Sequence, residues 1–196
     1  MKIVSLEGPD FSGKSTLAST LVPRLRSEGL TVEKSALPTD MITGIFTSLL
    51  RNSKDAVDPR VFAMVQAADH LHHYVSTRDL PVDILLLERS ALSLYVYQGM
   101  VMGVDTDWLE QLNRHNGTVP DLTAVVKVPP DELVRRAKLR AGLEDSFEKE
   151  DFVREVAAHY YDLPDRLAER FNVEYFPHGG TERTVELLAG RIKKLL

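Results

Sequence analysis

The sequence predicts an α/β fold, a five-stranded parallel sheet with helices packed on both faces. Three observations carry that prediction. Strand-like and helix-like patterns alternate along all 196 residues. The run Ile84-Leu85-Leu86-Leu87 is apolar on both faces, as a central parallel strand is. A glycine-rich turn, Gly8-Pro9-Asp10-Phe11-Ser12-Gly13-Lys14-Ser15-Thr16, joins the first strand pattern to the first helical one.

Taken in order, residues 2–6 read as a buried strand and 15–28 as an amphipathic helix closed by Gly29. Further strands are expected at 31–35, 82–88, 121–128 and 172–176. Apolar residues at helical spacing predict helices over 39–51, 58–78, 90–101, 105–116, 130–140, 147–170 and 181–195. Asp105 and Thr181 stand where N-caps are expected. Pro129-Pro130-Asp131-Glu132 ends a strand and opens a helix with acid in its first turn. Residues 52–55 and 178–180 read as loops, and no repeat or linker divides the chain, so one domain over 1–196 is expected.

Composition excludes several classes of function. Hydrophobic content of 43% and charged content of 27% are those of an ordinary globular chain. A net charge of −5 argues against a nucleic-acid or anionic-membrane partner. With no cysteine, disulfides, thiol chemistry and thiolate-bound zinc are ruled out. No apolar run reaches membrane-spanning length, and the chain opens on a core strand with no leader before it, so a cytoplasmic protein is expected. The group from His70 to His73 has only Asp69 as a neighbouring carboxylate and reads as a partly exposed helix surface, not a metal site. Arg183, Arg191, Lys193 and Lys194 read as a solvated helix end.

The turn from Gly8 is a complete G-x-x-x-x-G-K-[ST] motif, a P-loop, between strand and helix. Such a loop turns its backbone N–H groups inward around phosphate oxygens. The expected donor site is therefore Gly8, Asp10, Phe11, Ser12, Gly13, Lys14, Ser15 and Thr16. Lys14 would reach the β- and γ-phosphates of ATP, and Ser15 would ligate Mg²⁺. The fold class sharpens to a three-layer P-loop NTPase.

A second constellation ends the strand 82–88. Glu88-Arg89-Ser90 places charge at the carboxyl end of a buried strand, the edge that carries the P-loop and binds ligands in open parallel sheets. Glu88 would reach Mg²⁺ or its waters, and Arg89 a transferred or acceptor phosphate. A purely structural ion pair is the other reading of the two charges.

In these residues and their order the chain resembles the thymidylate kinase family of nucleoside monophosphate kinases over nearly its whole length. Glu88, Arg89, Ser93, Tyr97 and Gln98 fall on the family's D-R-[YH]-x-x-S-x-x-A-Y-Q stretch, with Glu in place of Asp. Pro120-Asp121-Leu122 and Pro129-Pro130-Asp131-Glu132 match its next strand and helix start, and Ala67-Ala68-Asp69-His70 resembles its A-A-D-R segment. Phe152, Val156 and Tyr160 follow at i, i+4 and i+8 on the helix after an arginine-bearing lid. The resemblance implies phosphoryl transfer from ATP to a small acceptor. It assigns Asp10, Pro38, Gln66, His70, Arg89, Ser93, Tyr97 and Gln98 to the acceptor side. It places catalysis with Lys14, Arg89, Glu88, Arg136 and Arg140, and metal binding with Ser15 and Glu88. It further implies a lid over about 138–147 and a homodimer built through helices, to which Phe62, Met64 and Val65 would contribute.

The chain also departs from the family pattern. The acceptor-phosphate arginines fall at Thr47 and His70, and the aromatic that stacks on the base falls at Gln66. The catalytic arginine is absent at Phe11 in the loop and at Asp145-Ser146 in the lid, leaving Arg136, Lys138 and Arg140 as the nearby cations. Arg51, Arg60 and Arg78 have no assigned place. The Glu-Arg-Ser triplet also resembles deoxynucleoside kinases, so a nucleoside or other hydroxyl acceptor is the alternative. A nucleotide-binding protein with weak or no transfer is the second.

Overall fold

A computed structural model describes residues 1–53, 56–116, 119–141 and 147–196. The expected sheet is present and wholly parallel, in the order β2-β3-β1-β4-β5. Its strands are β1 (Lys2–Glu7), β2 (Val32–Ala36), β3 (Ile84–Glu88), β4 (Leu122–Lys127) and β5 (Val173–Pro177). The helices are α1 (Lys14–Ser27), α2 (Ile42–Arg51), α3 (Pro59–Thr77), α4 (Ala91–Leu94), α5 (Thr106–Leu112), α6 (Pro130–Ala141), α7 (Phe147–Tyr161), α8 (Asp165–Arg170) and α9 (Thr181–Lys193).

Strand alternation divides the core. Val4 and Leu6 of β1, with Leu122, Ala124 and Val126 of β4, face α1 and α9, where Leu21, Leu25, Leu188 and Ile192 are buried. On the opposite face Val125 packs with Leu94, Tyr95, Tyr160 and Phe171, under α4, α7 and α8. Ser5, Glu7 and Thr123 alternate onto that second face, so it carries buried polar groups.

Several helix ends follow from single residues. After α1, Gly29 takes φ 90°, its N–H reaches Arg26 O, and Leu30 N reaches Leu25 O, the paired bonds of a left-handed C-terminal cap. Asp105 caps α5 by accepting from Trp108 N at 2.7 Å. Thr181, expected as an N-cap, is instead the first residue of α9. Gly180 precedes it at φ 87°, in the left-handed region that favours glycine. The helix expected over 147–170 breaks into α7 and α8 around Pro164, which lacks an N–H and clashes with a preceding turn. The one expected from residue 39 starts at Ile42, because Thr39 is held out of it: its N–H and hydroxyl both donate to buried Asp69.

The helix expected over 90–101 is α-helical only in α4; Tyr95–Val101 is a π-helical turn with i→i−5 bonding such as Met102 N to Tyr97 O. Residues five apart, Ser93 with Gln98 and Tyr97 with Met102, then share a face. In an α-helix they would be about 140° apart.

Candidate active site

The P-loop leaves β1 at Gly8 and enters α1 at Lys14. Positive φ at Gly8 (135°), Phe11 (67°) and Gly13 (92°) curls it around the Lys14 side chain. Nζ donates to Gly8 O at 2.9 Å, to Pro9 O at 2.7 Å and to Ser12 Oγ at 3.3 Å. Burial lowers the Lys14 ammonium to about 7, and the nearby Arg89 charge adds to the effect. A phosphate oxygen brought beside this amine would restore its charge.

At the end of β3, Arg89 adopts φ 76°, a backbone strain in a non-glycine residue of the kind concentrated at functional sites. The kink sends neighbouring side chains to different partners. Glu88 accepts from Ser15 Oγ at 2.6 Å and from Lys34 Nζ at 2.8 Å. Arg89 forms an ion pair with Asp10, donates to Ser93 Oγ at 3.1 Å and lies 5.3 Å from the Tyr97 ring centroid. Ser90 turns inward, donating to Glu7 Oε1 from its N–H at 2.6 Å and its hydroxyl at 2.9 Å.

Glu7 is fully buried, and Ser93 Oγ and Tyr160 Oη donate to its other oxygen, each at 2.9 Å. A buried carboxylate this well satisfied ties the end of β1 to the end of β3 and to α7. Sequence reasoning passed over it. The signal was there: a carboxylate ends an otherwise apolar strand immediately before the P-loop.

Two cavities open above these strand ends. One, of about 440 Å³, is lined by Asp10, Phe11, Gly13, Lys14, Ser15, Thr16, Glu88, Arg89, Arg136 and Arg140, with Ala36, Leu37 and Leu139. The other, of about 420 Å³, is lined by Asp10, Pro38, Gln66, Arg89, Ser93, Tyr97 and Gln98. Arg51, Phe62, Met102 and Phe152 are also on its wall. Asp10 and Arg89 belong to both and form the partition. Loss of solvent in the cleft pulls the Asp10 carboxyl upward, but the Arg89 and Lys14 charges outweigh it and hold its pKa below the ordinary value. Burial pushes the Tyr97 hydroxyl, 3.4 Å from Asp10, up to about 12.

Most residues assigned to the two sides therefore sit together. Gly8 and Ser12 form the back of the loop, through their bonds to Lys14. His70 does not join the acceptor side: it is 2% exposed and lines neither cavity. It lies four residues beyond Gln66 on α3, about 6 Å further along the helix axis. His73 is equally buried, with Nε2 2.9 Å from Ser35 Oγ, so within the expected partly exposed group Leu71 is exposed and His72 half-buried, while His70 and His73 are core. Asp145 and Ser146 lie outside the described residues. Of the expected lid, residues 138–141 end α6 and 142–146 also lie outside them.

The family model for thymidylate kinase matches residues 6–184. This chain belongs to the thymidylate kinase family. It is 32% identical over 199 residues to a probable thymidylate kinase of Pyrobaculum aerophilum, covering 100% of this chain and 96% of that one. A probable thymidylate kinase of Methanococcoides burtonii is 28% identical over 180 residues, with 88% and 87% coverage. A thymidylate kinase of Pseudomonas putida is 30% identical over 179 residues, with 87% and 85% coverage. Membership makes the chain a nucleotide kinase that uses ATP to phosphorylate a nucleoside monophosphate.

One departure from the thymidylate kinase pattern, at Thr47, has a structural cause. Thr47, at the place of an acceptor-phosphate arginine, is buried and donates to Thr43 O at 2.9 Å. Arg51, one helical turn further along α2, lines the second cavity. Among the described residues no helix is long and apolar enough to cross a membrane.

Proposed function

We propose that this chain transfers the γ-phosphoryl group of ATP to a deoxynucleoside monophosphate, thymidylate first, giving the diphosphate. The observation that carries the reading is the partition: Asp10 and Arg89 line both cavities, and Arg51 lines the acceptor cavity as well. Two guanidinium groups there suit an acceptor that carries a phosphate, because their N–H forks match its oxygens. A neutral nucleoside would leave them unmatched and would need a base; Asp10, engaged by Arg89 with a lowered pKa, is a poor one.

The donor residues divide the remaining work. Lys14 and the loop N–H groups hold the phosphates, and Arg136 and Arg140 bring cations from α6 to the same cavity. Ser15 Oγ and Glu88 are adjacent hard oxygen donors, a set that fits Mg²⁺. Bound there, the metal would supply charge neutralisation on the donor phosphates. Residues 138–147 would close over ATP and keep water out. The substrate pair belongs to the cytoplasmic nucleotide pool.

ADP release measured with ATP, Mg²⁺ and a panel of thymidine, dTMP, dUMP, dCMP and dGMP tests this. Turnover is expected with monophosphates, fastest with dTMP, and is abolished by chelation of the metal. Arg51→Ala is expected to raise KM for dTMP about tenfold and leave KM for ATP unchanged. Turnover of thymidine without turnover of dTMP would overturn the assignment, as would no transfer to any acceptor.

We also propose a homodimer across α2 and α3. Ile42 and Leu49 on α2 are 73% and 64% exposed, and Phe46, Val61 and Met64 widen the same kind of apolar stripe. Phe62 turns to the acceptor cavity and Val65 is half-buried, so Met64 alone of the three expected contributors belongs to the exposed stripe. Light scattering is expected to give twice the chain mass for the wild type and one chain for Phe46→Glu; a monomeric wild type would refute the dimer.

A further inference from the structure

We infer that His178, in the turn after β5, is a positioning residue that aims Arg136 at the donor phosphates. Arg136 projects from α6 and is held from three directions. Its Nε donates to Glu132 Oε1 at 2.7 Å, one turn back on α6. Its Nη1 donates to Phe11 O of the P-loop at 3.2 Å. Its Nη2 lies 2.8 Å from His178 Nε2. A guanidinium can only donate, so this nitrogen of His178 accepts and the ring is neutral with its proton on Nδ1. Partial burial, and then the Arg136 charge, lower the His178 pKa from its usual value, which favours that form.

A guanidinium carries five N–H groups in a planar fork. The three contacts commit one on each nitrogen and, among the described residues, leave one on each terminal nitrogen of a group that lines the donor cavity. The guanidinium also lies close over the loop: a Cβ on Gly13 would sit 3.8 Å from Arg136 Nη1. Each anchor restrains one edge of the plane. Glu132 alone would let the fork swing about the helix, and Phe11 O alone would fix a single corner. His178 supplies the third point from the turn after β5, so the guanidinium plane is held beside the loop before any phosphate arrives. This arrangement gives the donor side a fixed arginine although Phe11 occupies the loop position where an arginine is otherwise expected.

The inference rests on the reading of this cavity as the ATP site. Steady-state kinetics with varied ATP at saturating dTMP would be compared for wild type, His178→Ala, His178→Gln, Arg136→Ala and the Arg136→Ala/His178→Ala double variant. His178→Ala is expected to raise KM for ATP about tenfold, the loss of one hydrogen bond to a charged group, and to leave KM for dTMP unchanged. His178→Gln, which offers an acceptor oxygen, is expected to restore most of the loss. Without Arg136 the second change is expected to have no effect. Wild-type behaviour of His178→Ala would overturn the inference, as would an equal loss in the Arg136→Ala background. The same set read by calorimetric titration with ATP decides the question even for a chain that binds ATP without transfer, a result that would sink only the kinase reading.

Discussion

Lys14→Ala is expected to lower kcat/KM by roughly 10²- to 10³-fold, the loss on removing one preorganised donor to developing charge. The fold should survive. The side chain leaves behind Gly8 O, Pro9 O and Ser12 Oγ, which lie beside a cavity that water can enter. A melting temperature near that of the wild type, with transfer nearly lost, is the expected pairing; wild-type rates would remove Lys14 from the donor site. The wild type carries a second signature of the same group. Its ammonium is lowered to about 7 by burial and by Arg89. A cation with a depressed pKa is charged below that value and neutral above it. The kcat/KM for ATP, which reports the enzyme before ATP binds, is therefore expected to fall as pH rises through about 7. The kcat should hold to higher pH, because bound phosphate restores the charge.

Arg89→Ala is expected to reduce kcat/KM for dTMP by about 10³-fold, at the lower end of what a transfer-site arginine contributes. Arg89 lies in the wall common to both cavities and pairs there with Asp10. Its removal unpairs that carboxylate at the point where acceptor and donor phosphates would meet. Repulsion would then add to the lost attraction. Arg89→Lys keeps the charge but loses the fork and the face laid over Tyr97, so it is expected to recover only part of the rate. Residual turnover of thymidine, if any, should drop less than turnover of dTMP. Equal losses on both would show that Arg89 organises the site without touching the acceptor phosphate.

What could be read from the chain divides along physical lines. The P-loop was legible because its function is a backbone shape, and glycine at fixed positions is how a sequence writes backbone shape. Asp105 and Gly29 were legible for the same reason: caps act over three or four residues. The acceptor side was written in a less local form. The segment Ala67-Ala68-Asp69-His70 matched a string, yet α3 leaves the cavity after Gln66 and carries His70 into the core. Arg51 escaped assignment because a helix face can be reached from i or from i+4. A motif aligned at Thr47 says nothing about the next turn. Glu7 was hidden by its neighbours, since its partners Ser90, Ser93 and Tyr160 are 83 to 153 residues away in the chain. Pairings of that kind exist only once the sheet has formed.

The π-helical turn at Tyr95–Val101 makes helical pitch, as well as residue identity, a determinant of the acceptor wall. Deleting one residue there would let the segment relax to ordinary helical pitch. Gln98 would then stand four residues from Ser93, about 40° round an α-helix, and would keep its face. A change to α-helical pitch with every residue retained would instead put Ser93 and Gln98 about 140° apart and turn Gln98 out of the cavity with no change in its chemistry. In this stretch a one-residue deletion is absorbed by the pitch, whereas a change of pitch at constant length and a substitution at Gln98 are equivalent routes to a different pocket.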